Sequence, residues 1–139
     1  MIKNIKETLK KVLEFHGVAT EISECAFLDY KSIKKMRGIY VIVGPTGAIY
    51  VGKGHVKDRQ KHHRNKALNN ITGGTRDTAG WKNWRENHAV DLASCHLVCA
   101  EVNSETGTSA VEGSLIHLLQ PLANDECLVD RKKQSKKAA

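Results

Sequence analysis

Two tyrosines, Tyr40 and Tyr50, stand ten residues apart in GIYVIVGPTGAIYVGKG, residues 38–54, in a chain that has only three. Each lies close to a glycine. A phenol can contact a phosphate, or take a proton once ionised, but its ordinary pKa near 10 makes it a poor base unless nearby cations lower it. Arg59 and His63 follow, four residues apart. The planar guanidinium fork suits a phosphate, and an imidazole with an ordinary pKa near 6.5 can donate to one or exchange a proton. Further on, Glu112 interrupts an apolar helical stripe. Its carboxylate is either half of a part-buried ion pair with a cation of the basic helix or a ligand for a divalent ion such as Mg²⁺.

These residues need particular elements to bring them together. Strands are predicted at about 38–44 and 48–52, joined through Pro45, Thr46 and Gly47 by a three-residue loop with a glycine bulge. In that register Gly44 opposes Ala48, Ile42 opposes Tyr50 and Tyr40 opposes Gly52. The two tyrosines then share one sheet face as diagonal neighbours. Gly52 is expected to leave space beside the Tyr40 phenol, room enough for a phosphate. The plainer alternative is that tyrosines simply favour strands.

A polar helix is predicted over roughly 55–69, carrying Lys53 at its approach and Lys57, Arg59, Lys61, Arg64 and Lys66 against the single acid Asp58. Val56, Arg59, His63 and Ala67 recur at helical spacing, so Arg59 and His63 share the inward face. His62 points elsewhere and is assigned to solvent. In SAVEGSLIHLLQ, at roughly 100° per residue, Glu112 falls inside the arc of Val111, Leu115, Ile116, Leu118 and Leu119. An unpaired carboxylate costs several kcal/mol there, so it should have a partner or a task.

The remaining elements frame these. Ile2, Ile5, Leu9, Val12 and Leu13 predict an N-terminal helix ended by Gly17. Residues 18–36 read as a connector, with a short strand or turn left open. The stretch 72–80 is a loop, there to meet DNA or to connect helices, and Trp81 and Trp84 lie on a short helix as core residues. Residues 92–102 form a buried third strand, and a helix capped by Ser104 or Thr106 runs to about Gln120.

The chain of 139 residues bounds one domain with a real core. Its net charge of +7 favours a polyanionic partner, of which nucleic acid is the commonest. No apolar run approaches the ~18 residues of a membrane span, and MIKNIKETLKK lacks the apolar core of a secretory signal. The expected setting is cytoplasmic. The four cysteines form no disulfide framework, and reduced thiols are expected; Cys95 and Cys99, spaced C-x3-C, leave a zinc-stabilised RNA-binding domain as a minor alternative.

Taken in order, Gly38-Ile39-Tyr40, Tyr50-Val51-Gly52, Arg59 with His63, Glu112, and Asn124 twelve residues later closely resemble the GIY-YIG nuclease superfamily. The resemblance implies an α+β fold, a small antiparallel three-stranded sheet flanked by helices, here with an extra N-terminal helix. Residues 1–36 would be a helical extension, 37–127 the nuclease domain and 128–139 a basic, flexible tail. It also implies metal-dependent cleavage of DNA with Mg²⁺, or Mn²⁺ as a substitute. Tyr40 matches the tyrosine that activates water, and Tyr50 the one that supports it at the phosphate. Lys53 matches a lysine that steers a tyrosine towards phenolate, Arg59 the phosphate-binding arginine and His63 a histidine some members carry. Glu112 matches the single metal ligand, and Asn124 the asparagine that holds the site. Val51 stands where the family's motif has isoleucine, and the gap from Tyr50 to Arg59 is one residue shorter than in several members, which leaves Arg64 as a substitute register.

Lys57, Lys61, Arg64 and Lys66, with the tail residues Arg131, Lys132, Lys133, Lys136 and Lys137, are expected to add sequence-blind DNA affinity. With no room for a large specificity domain, recognition of DNA structure, weak sequence preference or a short site read by a homodimer is expected. The alternative is a nucleic-acid-binding module that kept the scaffold without turnover.

Overall fold

The structure, a computed structural model, describes residues 1–88 and 91–127. Helix α1 (Ile2–Phe15) is followed by β1 (Ile22–Ala26), a 3-10 helix (Phe27–Ser32) and the hairpin of β2 (Arg37–Gly44) and β3 (Gly47–His55). Helices α2 (Val56–Ala67) and α3 (Ala79–Asn87), a short 3-10 turn (Leu92–Ser94), β4 (His96–Glu101) and α4 (Glu105–Leu119) complete it. Among the described residues no helix is long and apolar enough to cross a membrane.

The sheet has four antiparallel strands in the order β1-β4-β2-β3, not the three expected. The added strand is β1, paired from Ile22↔Ala100 to Ala26↔His96. It comes from the stretch assigned to a helical extension. ISECA shows no clean two-residue alternation of apolar and polar side chains, and its burial is correspondingly irregular. What holds it is backbone pairing with β4, and every sequence offers the same backbone groups.

Strands β2 and β4 are covered on both faces and therefore read as unbroken apolar runs. Ile39, Val41 and Val43 of β2 join Val98 and Ala100 of β4 under α1 and α4, with Leu9, Leu13, Val111 and Leu115. Tyr40, Ile42, Leu97 and Cys99 face the other way, against Phe27, Tyr30, Val56, Trp81 and Trp84. Helix α1 ends as its sequence predicts: Gly17 has φ +72°, and Val18 N–H reaches back to Leu13 O at 2.9 Å. Ser104 caps α4, its Oγ accepting from Gly107 N at 3.1 Å.

The hairpin differs from expectation at its tip. Gly44 pairs with Gly47 and Val43 with Ala48, so two residues make the connection and the bulge falls at Ile49. From Ile42↔Tyr50 outward the register is the predicted one, including Tyr40↔Gly52. Beyond α4 the chain lies along the free edge of β3. Leu122 N–H donates to Ala48 O at 3.2 Å, and Ala123 N–H to Ile49 O at 2.7 Å. A side chain at Gly80, the start of α3, would collide with the Ala123 carbonyl, and Asp125 Oδ1 accepts from Gly80 N at 2.7 Å. One short segment thus closes the sheet edge and seats α3.

Candidate active site

The shared face of the hairpin carries both tyrosines, their rings stacked with centroids 6.3 Å apart at 16°. Tyr40 is wholly buried and Tyr50 half-buried. The expected space beside Gly52 is not open: the Tyr40 phenol itself occupies it, and any Cβ at 52 would collide with its hydroxyl. Glycine is required there to let the phenol lie across β3, not to admit a phosphate.

Helix α2 turns Val56, Gln60, His63 and Lys66 inward. Tyr40 Oη and His63 Nε2 are 2.7 Å apart, and Trp81 Nε1–H donates to His63 Nδ1 at 3.2 Å. The His63 ring lies 4.2 Å from that of Tyr50, which also stacks on Trp81 at 5.8 Å. Arg59 lies at the rim, its guanidinium beside both phenols. Tyr40, Tyr50, Arg59 and His63 are therefore brought together as expected.

Electrostatics do not favour an ionised phenol in the free protein. Burial pushes the Tyr40 pKa well up and the Tyr50 charge adds to this, while Arg59 opposes it. Tyr50 is raised by burial as well, again with Arg59 opposing and Glu126, Glu112 and Asp125 reinforcing. His63 is held well below its ordinary value by burial, then by the charges of Lys66, Arg59 and His62.

Because His63 is neutral in the fold and titrates near 6.5 when unfolded, the unfolded chain binds the extra proton as pH falls below ~6.5. Its contribution to stability is therefore full above that pH and declines below it, by up to about 1.4 kcal/mol per pH unit. Urea unfolding of wild type and His63→Gln should find the gap between them narrowing by about 1 kcal/mol from pH 7 to pH 5.5. A gap that does not change with pH would contradict a neutral buried imidazole.

On the other side of β3, Glu112 is half-buried on α4. Burial raises its pKa, Lys53 lowers it, Glu126 raises it and Arg59 lowers it. Among the described residues no cation comes within the 4.0 Å of an ion pair. Lys53 is not aimed at a phenol; its ammonium donates to Ser109 Oγ at 2.7 Å. Asn124 grips β3, with Oδ1 accepting from Val51 N and Nδ2 donating to Val51 O, both at 2.9 Å.

The basic helix divides by face. Lys57, Lys61 and Arg64 fall within about 60° of one another, some 120° round from His63. Lys61 and Arg64 are exposed and Lys57 half-buried. Lys66 corrects the expectation of a surface contact. It is buried on the inward side, where burial and Arg59 lower its pKa against the pull of Asp125 and Asp77. His62, assigned to solvent, holds the loop instead, Nδ1 lying 2.8 Å from Thr75 Oγ1. Cys95 and Cys99 are buried free thiols. Arg131, Lys132, Lys133, Lys136 and Lys137 lie outside the described residues.

Residue types alone did not single out Ser109, Glu126 or Asp125. Only the last two carried a signal, being the acids directly after Asn124. Trp81 and Trp84 are core residues as expected. Compared with models of protein families, with curated proteins and with solved structures, the chain matches none.

Proposed function

We propose that the chain is a metal-dependent endonuclease of the GIY-YIG type that hydrolyses DNA phosphodiesters, with β1 as an added edge strand on that fold. The observation that carries this reading is the convergence along β3 of two phenols, a guanidinium, and a half-buried carboxylate without an ion pair among the described residues. The net charge of +7 suits a polyanionic substrate.

Glu112 fits Mg²⁺, or Mn²⁺ in its place, as a hard oxygen donor. Mg²⁺ keeps several waters and needs only one or two carboxylates. Glu112 would be the protein ligand in this reading; among the described residues no group of three or more His, Cys, Asp or Glu could hold a metal. When bound, the ion would supply positive charge to the phosphate and its leaving oxygen.

Arg59 binds the phosphate oxygens in this reading, and Tyr50, the less buried of the two phenols, contacts the same group. Tyr40 accepts the proton of the attacking water. That role requires its pKa to fall from the raised value of the free protein, and Arg59 already pulls in that direction. Lys53, held by Ser109, adds positive charge near Glu112. Substrate choice rests on DNA structure or weak sequence preference, with a homodimer as one way to read a short site, in a cytoplasmic setting.

The complete burial of Tyr40 favours a second reading, a nucleic-acid-binding module without turnover. Labelled duplex, single-stranded, flap, nicked and branched DNAs, each incubated with Mg²⁺ or EDTA, separate the two. Cutting with Mg²⁺ and none with EDTA is the expected result. Binding without cutting of any of them by folded protein would overturn the enzyme in favour of the module.

A further inference from the structure

Trp81 is a core residue, and its indole N–H makes the one hydrogen bond to His63 Nδ1 among the described residues. An indole N–H can only donate. Nδ1 must therefore offer its lone pair, and a second ring proton there would face the indole hydrogen head-on. The ring is thus neutral with its single proton on Nε2. That nitrogen lies 2.7 Å from Tyr40 Oη, so the imidazole donates and the phenol oxygen accepts.

We propose that Trp81 is a positioning residue that locks His63 in the Nε2–H tautomer, making His63 a fixed hydrogen-bond donor to Tyr40 and not a base for it. The tautomer stands on geometry alone; its consequence for cleavage rests on the nuclease reading. Histidines that orient a reacting group have their tautomer set by the bond at the other nitrogen, commonly to a carboxylate or a carbonyl. Those partners accept and place the proton on the near nitrogen. An indole donates, and it drives the proton to the far nitrogen, the one facing Tyr40.

The consequence lies at the phenol oxygen. His63 donates to it, and Arg59 beside it can also only donate. Neither neighbour can take the Tyr40 proton. Both can stabilise the oxygen once that proton has gone. If Nδ1 lost its indole partner, the imidazole could reverse, present a lone pair at Nε2 and hold the Tyr40 proton in place.

Long-range ¹H–¹⁵N NMR of the His63 ring at pH 7, in wild type and Trp81→Phe, tests this without reference to cleavage. Phenylalanine keeps an aromatic ring for stacking and removes the donor. Wild type should show a protonated Nε2 and a bare Nδ1, and Trp81→Phe should show the other tautomer or a mixture. With cleavable DNA, Trp81→Phe should lose about 10–100-fold in kcat, as typical for a group that orients a ligand or base, with KM little changed. A wild-type ring protonated at Nδ1 overturns the assignment, whether or not Trp81→Phe folds. A folded Trp81→Phe with the wild-type tautomer and wild-type kcat overturns the positioning role. Absence of any DNA cleavage by wild type would overturn the nuclease reading while the ring spectrum still decides the tautomer.

Discussion

Glu112→Gln should abolish metal-dependent cleavage, a loss on the order of 10³-fold or more, while leaving thermal stability unchanged or slightly higher. Glutamine keeps the shape of the side chain and removes its charge. Burial raises the Glu112 pKa, with Lys53 and Arg59 only partly offsetting this and Glu126 adding to it. A carboxyl whose folded pKa is raised binds its proton more readily in the fold than in the unfolded chain. Stability linked to this group therefore rises as pH falls through that pKa, and at neutral pH the charged form is the costly one. Removing the charge removes that cost together with the candidate metal ligand. Single-turnover cleavage and a melting curve on the same preparations check both halves. A variant that cuts at the wild-type rate would remove Glu112 from the chemistry, and one that melts many degrees lower would make it a structural residue.

Asn124→Ala should destabilise the protein by about 2–6 kcal/mol, since two buried backbone groups lose their partners at about 1–3 kcal/mol each. Asn124 is 2% exposed and its amide makes both hydrogen bonds to Val51, replacing ladder bonds that edge strand β3 would otherwise lack. Val51 lies between Tyr50 and Gly52, so loosening it also disturbs the stacked phenols. Asn124→Asp should be comparably severe, since it keeps the acceptor, loses the donor and brings a charge into a buried place. Urea denaturation gives the answer directly. An alanine variant within 0.5 kcal/mol of wild type, a difference small beside the ~2 kcal/mol expected, would mean that the clamp carries no weight.

Much of the candidate site is legible in the chain because it depends on local periodicity. The two-residue period of β2 and β3 puts Tyr40 and Tyr50 on one face, and that survives a change at the hairpin tip because the bulge at Ile49 restores the register. The helical period of α2 brings Arg59 and His63 to the same side. The interruption of an apolar stripe marks Glu112, since a charge inside such an arc is costly wherever the helix docks.

The remainder follows from contacts between segments far apart in sequence. Strand β1 and residues 122 and 123 join the sheet through backbone groups, which carry no signature of residue type. The direction of Lys53 depends on Ser109 across the sheet edge. Whether the Tyr40 phenol is open or covered depends on how closely its ring lies over Gly52. The sequence by itself determined which side chains share a face, because that is set by the repeat of a strand or helix. Only the tertiary structure decided how deeply they are buried and which atom faces which, because burial and hydrogen-bond direction depend on what packs against the face from elsewhere in the chain.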